Sequence, residues 1–148
     1  MNMPFAGLLA HGIKTLESRN GSMFRDTEGV EVLLHVGKRT YPGEHCHLKI
    51  LREAGLEPST IATVISLPDG FTRGQVVAVL VLGKTVLMEQ GREAAAIEQA
   101  VVARGGVMGR YLTHIQSARW LKKPFKVAGA PGIFKCDIPT ALLPDRIL

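Results

Sequence analysis

Gln75-Val-Val-Ala-Val-Leu-Val-Leu-Gly-Lys-Thr-Val86 is a near-continuous apolar run, dense in β-branched residues. It is too short to cross a bilayer, which takes about 20 residues, and its β-branched content favours a strand over a helix. A strand that is apolar at consecutive positions is covered on both faces. The run is therefore expected at the centre of a sheet.

Upstream of it, Val30, Val32, Leu34 and Val36 alternate with Glu31, Leu33 and His35. This period of two marks a strand with one face in the core and His35 on the less buried side. Between the two strands, Glu44 to Ala54 reads as a helix, entered after Pro42-Gly43 and left at Gly55. Pro58 to Leu67 adds a turn or two of helix before the sharp turn Pro68-Asp-Gly70. Downstream, Arg92 to Ala103 reads as a helix stopped by Gly105-Gly106, and Arg119–Val127 and Ile133–Ile138 read as extended segments. In the last of these Phe134, Cys136 and Ile138 alternate with Lys135 and Asp137. At the N-terminal end, residues 4–11 read as a short helix stopped by Gly12, followed by a strand over Lys14–Arg19. Strands interrupted by helices without a regular βαβ repeat give an α+β domain around a small barrel. With no linker or repeat in 148 residues, residues 1–148 form a single domain.

The composition, 46% apolar and 21% charged, excludes a disordered or fibrous chain. Neither a signal peptide nor a transmembrane segment is legible, and the two cysteines, Cys46 and Cys136, are far apart. They read as free thiols in an intracellular, cytoplasmic protein without a membrane partner. The net charge of +5 is unevenly placed. Residues 99–136 hold seven cations (Arg104, Arg110, Arg119, Lys122, Lys123, Lys126 and Lys135) and no acid, while the remainder is at −2. A one-signed block on a folded domain draws polyanions, which favours nucleic acid over a merely solvated surface, with a membrane surface or an acidic protein as the alternatives.

The octet Gly12-Ile-Lys-Thr-Leu-Glu-Ser-Arg19 gathers Lys14, Thr15, Glu17 and Arg19 at a turn-to-strand junction. In an extended chain Thr15, Glu17 and Arg19 share a face and Lys14 leaves from the other, or from the turn. Two readings stay open: a solvated edge strand with its own ion pair, or a polar wall for a ligand that offers phosphates and base edges. Lys14 with Glu17 is a candidate nucleophile or base pair, and His35 and His114 are candidate acids or bases. No nucleophile elbow, Walker loop or dinucleotide fingerprint accompanies them, and no cofactor is expected. His45-Cys46-His47 is a poor metal cluster, because adjacent helical residues point about 100° apart. Trp120, beside Arg119, reads either as a base-stacking platform or as a core residue with one wet edge.

The ordered set Pro4-Phe-Ala-Gly, Gly12-Ile-Lys-Thr-Leu-Glu-Ser-Arg19, His35-Val-Gly-Lys38, Phe71-Thr-Arg-Gly74, Tyr111-Leu-Thr-His-Ile with Arg119-Trp-Leu-Lys-Lys-Pro124, and Gly132-Ile-Phe-Lys-Cys-Asp-Ile-Pro139 resembles the ASCH domain of the PUA-like superfamily. It resembles in particular the endothelium-overexpressed lipopolysaccharide-associated factor group. The resemblance implies a PUA-like small mixed β-barrel with surrounding helices, and a cleft that takes RNA or a modified nucleoside. The nucleic-acid-binding residues it implies are Lys14, Thr15, Glu17, Arg19, His35, Lys38, Arg119 and Trp120. A bacterial ASCH subgroup hydrolyses N4-acetylcytidine with the motif lysine, a threonine three places later and a distant glutamate. Glu17 stands where that threonine belongs. The expectation is therefore an RNA-binding module, with a hydrolase of an acylated nucleoside (N4-acetylcytidine-like) or of RNA, using Lys14 and Glu17, as the alternative and a protein-interaction adaptor as a second one. The family's usual strand before Pro4 is represented only by Met1-Asn-Met, so the expectation is an open edge, a truncated start or a substitute strand from elsewhere, and an open edge would invite pairing with another protein chain.

Overall fold

The computed structural model describes residues 1–19, 21–39, 46–87 and 110–145. In chain order they form α1 (Phe5–Ala10), β1 (Leu16–Arg19), β2 (Glu31–His35), α2 (Cys46–Glu53), α3 (Pro58–Val64), β3 (Gln75–Leu87), β4 (Tyr111–Lys126) and a final 3-10 turn, Thr140–Leu142. The chain is α+β. Among the described residues its four strands make one antiparallel sheet, ordered β1-β4-β3-β2, with β1 and β2 at the two ends rather than paired to each other.

The apolar run lies where its composition requires. β3 is an inner strand, with residues 76–80 all buried. Bulges between Val76 and Ala78 and between Val81 and Thr85 interrupt its register with β4. Such irregularities add twist and bend, which lets two long strands wrap a core. One sheet face packs Leu34, Ala78, Leu80 and Ile115 against Ala6 and Leu9 of α1. The other packs Val76, Val79 and Leu121 beneath Ile138 and Leu143 of the C-terminal segment. A third cluster joins the helices through Leu8, Leu51, Ile61 and Val64.

Several local expectations hold. α1 ends before Gly12, whose φ of +80° is a left-handed turn that glycine adopts at little cost. α3 starts at Pro58, where the missing N–H is no loss. The Pro68-Asp-Gly70 turn closes with the Phe71 N–H donating to the Pro68 carbonyl at 3.0 Å. The expected 92–103 helix, the glycines at 105 and 106 expected to stop it, and the start of the 44–54 helix lie outside the described residues.

Two expectations need correction. The strand expected over Arg119–Val127 begins at Tyr111, because 111–114 pair with all of β1. Ile133–Ile138 does alternate in burial, but it belongs to no strand. Phe134 sits edge-on against His35 at 5.6 Å, while Cys136 and Ile138 pack on the Val79 cluster. The segment covers the sheet without joining it. At the outer edge of β2, the Met1 amino group donates to the His35 carbonyl and the Gly37 N–H donates to the Met1 carbonyl, both at 2.8 Å. Part of the edge expected to be open is thus occupied.

Close approach of α1 to α3 depends on Gly7. A Cβ there would lie 2.9 Å from Met3 Cε, 3.2 Å from the Val64 carbonyl oxygen and 3.3 Å from that of Ser66. The methionine can move; the two carbonyls belong to the backbone. Gly7→Val should destabilise the fold by about 1–3 kcal/mol through overpacking, read as a lower urea midpoint at unchanged slope. An unshifted midpoint would mean that the helices do not meet this closely.

Candidate functional site

The turn out of α1 delivers the octet. Ile13 and Lys14 both donate their backbone N–H to the Leu8 carbonyl at 3.0 Å, and the Ile115 N–H donates to the Thr15 carbonyl at 2.8 Å. The chain then enters β1, where Glu17 faces Thr113 and Arg19 faces Tyr111 across the β4 pairing. Lys14 precedes the strand, and its side chain folds back instead of leaving by the opposite face. Its Nζ donates to the Leu16 carbonyl at 2.6 Å, lies 3.7 Å from Glu17 Oε2, and sits 5.9 Å from the centre of the Phe5 ring.

Only 5% of the Lys14 side chain and 16% of Glu17 is exposed. Burial pushes the lysine pKa down, the neighbouring Glu17 carboxylate opposes the shift, and Arg110 and Arg19 add to it. On the other side of the carboxylate, Arg19 Nε lies 3.9 Å from Oε1. The Arg19 guanidinium rests over the Phe24 ring, 5.6 Å from its centre. Arg110, at the entrance to β4, donates from Nη2 to the Ser18 carbonyl at 3.1 Å. Glu17 Oε2, Arg19 Nε and Arg110 Nε are buried without a hydrogen-bond partner among the described residues. At 3.7 and 3.9 Å the ion pairs are too long to count as hydrogen bonds.

Glu17, Ser18, Arg19, Gly21, Met23 and Arg110 together line a cavity of about 380 Å³. Lys14 is not on its wall; it stands behind Glu17 as a supporting cation. The group is one carboxylate among three cations, so its local charge is positive. It can receive a ligand that brings negative charge or acceptor atoms to the guanidiniums and a donor to the carboxylate.

The other expected site residues are placed elsewhere. His35 shares a 2.9 Å hydrogen bond between Nε2 and the Val127 carbonyl. A Cβ at Gly129 would come within 2.7 Å of that ring. His35 therefore pins the C-terminal segment. Lys38 is exposed near Gly74. Arg119 Nη1 donates to the Asp145 carbonyl at 2.9 Å, and Lys122 pairs with the Asp145 carboxylate at 2.8 Å. Trp120 is half-buried between Phe71 and His11, with ring centres 5.4 and 4.9 Å away. None of these residues lines the cavity. His114 is exposed and Cys136 is a free thiol. Of the His45-Cys46-His47 triplet, His45 and the Cys46 side chain lie outside the described residues, and His47 is buried edge-on to Phe5. Among the described residues no three potential ligands gather into a metal site, and no helix is long and apolar enough to cross a membrane.

Arg110, Met23 and Gly21 are wall residues that the octet did not reveal. Arg110 reaches Ser18 across 92 positions of sequence, so only knowledge of the β1–β4 pairing could have placed it. Its membership of the acid-free block was the one available signal.

The buried lysine has a measurable signature. Because its folded pKa lies below the ordinary 10.5, the folded state releases the proton first as pH rises, while the unfolded chain still holds it. Stability from this group is fully present above 10.5 and is lost as pH falls through the folded value. The unfolding free energy of wild type relative to Lys14→Met should therefore climb as pH rises from below the folded value toward 10.5 and flatten beyond it. A difference independent of pH would contradict the burial of a charged amine here. No protein-family model matches the chain.

Proposed function

We propose that this protein is an ASCH-like RNA-binding module that seats one unpaired nucleotide, plain or modified, in the Glu17–Arg19–Arg110 cavity. The observation that carries the reading is the wall itself: a carboxylate and two guanidiniums around a space of about 380 Å³, within the 300–1,000 Å³ range of small-ligand pockets. In this arrangement Arg19 and Arg110 meet phosphate or base acceptors, and Glu17 accepts from a base donor. Exposed Lys123, Lys126 and Lys135 add long-range attraction for flanking phosphates. The order of the sequence motifs supports the same reading, and with it a PUA-like barrel of which the four-stranded sheet would form the wall.

Hydrolysis of an acylated nucleoside is less well supported. Lys14 is the natural nucleophile, since burial lowers its pKa. Its amine, however, is engaged with Leu16 and Glu17 and lies off the cavity wall. Binding is the better fit to this geometry.

The test is fluorescence anisotropy with a short single-stranded RNA over a range of salt. Affinity should fall steeply with salt. Arg19→Ala and Arg110→Ala should each weaken binding by roughly tenfold, the order expected for a lost charge-assisted hydrogen bond. Each substitution that removes a phosphate contact should also flatten the log–log salt slope by about 0.7. Absent or salt-insensitive binding would overturn the proposal.

A further inference from the structure

Behind the cavity wall runs a chain of hydroxyls whose direction is fixed by chemistry. Thr85 Oγ1 lies 2.8 Å from the Phe24 carbonyl oxygen and 2.8 Å from Thr113 Oγ1. A carbonyl can only accept, so the single Thr85 proton goes to Phe24. Thr113 must then donate to Thr85. The Thr27 hydroxyl also donates to the Phe24 carbonyl, which fills both of that oxygen's lone pairs. Thr113 is 2% exposed, so its proton has little recourse to water. Across the sheet Thr113 pairs with Glu17 on one side and Thr85 on the other. The row Glu17–Thr113–Thr85 therefore spans three strands on one face.

The far end of this chain is the segment that carries Met23 on the cavity wall and the Phe24 ring beneath the Arg19 guanidinium. Among the described residues Arg19 Nε has no hydrogen-bond partner, and the Glu17 carboxylate oxygen it pairs with is 3.9 Å away. The ring is thus a principal support for the orientation of that side chain.

We infer that Thr113 and Thr85 are positioning residues for the site, acting through Phe24 to hold Arg19 and the Met23 wall in their binding geometry. The inference rests on reading the cavity as a nucleotide site, but its physical core is independent of the ligand. Thr85→Val keeps the side-chain shape, removes the donor to Phe24 and leaves the Thr113 proton without an acceptor. Thr85→Ser keeps the hydroxyl.

Two measurements separate the two claims. On ligand-free protein, the NMR order parameter of the Arg19 Nε–H bond should fall in Thr85→Val and recover in Thr85→Ser. An unchanged order parameter in Thr85→Val would overturn the positioning role whatever the site binds. In the RNA assay, Thr85→Val should weaken affinity about threefold or more, with Thr85→Ser close to wild type. Combining it with Arg19→Ala should add little to the loss from Arg19→Ala alone. Fully additive losses would also overturn the role. If the order parameter falls as expected but wild type binds no RNA, the nucleotide reading fails and the positioning role stands. Should Thr85→Val not fold, Phe24→Leu, which removes the ring yet keeps an apolar side chain in the core, must lower the Arg19 order parameter, and an unchanged value would be decisive against the role.

Discussion

β3 and β4 pair antiparallel from Gln75 opposite Lys126 to Leu87 opposite Tyr111, and each carries a short strand on its other edge. That pairing sets almost every long-range relation in the molecule. It gives α1 an apolar face to lie on, and it gives the C-terminal segment a second one. It also brings Arg110, at the head of β4, alongside Ser18 on β1. β1 has only four residues, too short to persist by itself. Its side chains are held in place because β4 supplies the hydrogen bonds and α1 supplies the turn before it.

The Lys14–Glu17 pair is a second constraint laid on the first. A buried ammonium carries a desolvation penalty that an isolated ion pair rarely offsets by much. Here the lysine also has the Leu16 carbonyl and the Phe5 ring face, so its charge is partly balanced. Removing one partner of such a pair costs more than replacing both with apolar groups, because the survivor is left charged and buried. The arrangement fixes a carboxylate at the rear of a cavity, where a neutral side chain of similar size would pack more cheaply. Stability alone gives little reason for this choice.

Local chemistry made much of the fold legible. The β-branched run at 75–86, Gly12 at the end of α1, Pro58 at the start of α3 and the Pro68-Asp-Gly70 turn each act within a few residues, and each is found where expected. Pairing is a different kind of information. The alternation of Phe134, Cys136 and Ile138 reported one buried side but not whether the backbone had a strand partner, and among the described residues it has none. The octet was legible as a cluster of charges, while its internal geometry was not. Lys14 lies outside β1, so the period-two rule did not govern its direction, and burial against Phe5 did. Arg110 and the Thr113–Thr85 pair depend on strand register, which no local pattern discloses.

The composition of the cavity wall also bears on what can occupy it. A site made only of cations would take any anion, and salt would compete for it directly. Glu17 changes that. A bare phosphate set against Arg19 and Arg110 would meet the field of a carboxylate held within 4 Å of Arg19, and would offer nothing for that carboxylate to accept. A nucleotide brings acceptors on its phosphate and base together with N–H donors on the base edge, so it can satisfy both halves of the wall. Lys14, held off the cavity wall 3.7 Å from Glu17 Oε2, offsets part of the carboxylate's charge without crowding the cavity. The distribution of charge around this one glutamate thus argues for selection of a mixed donor–acceptor ligand and against general anion capture.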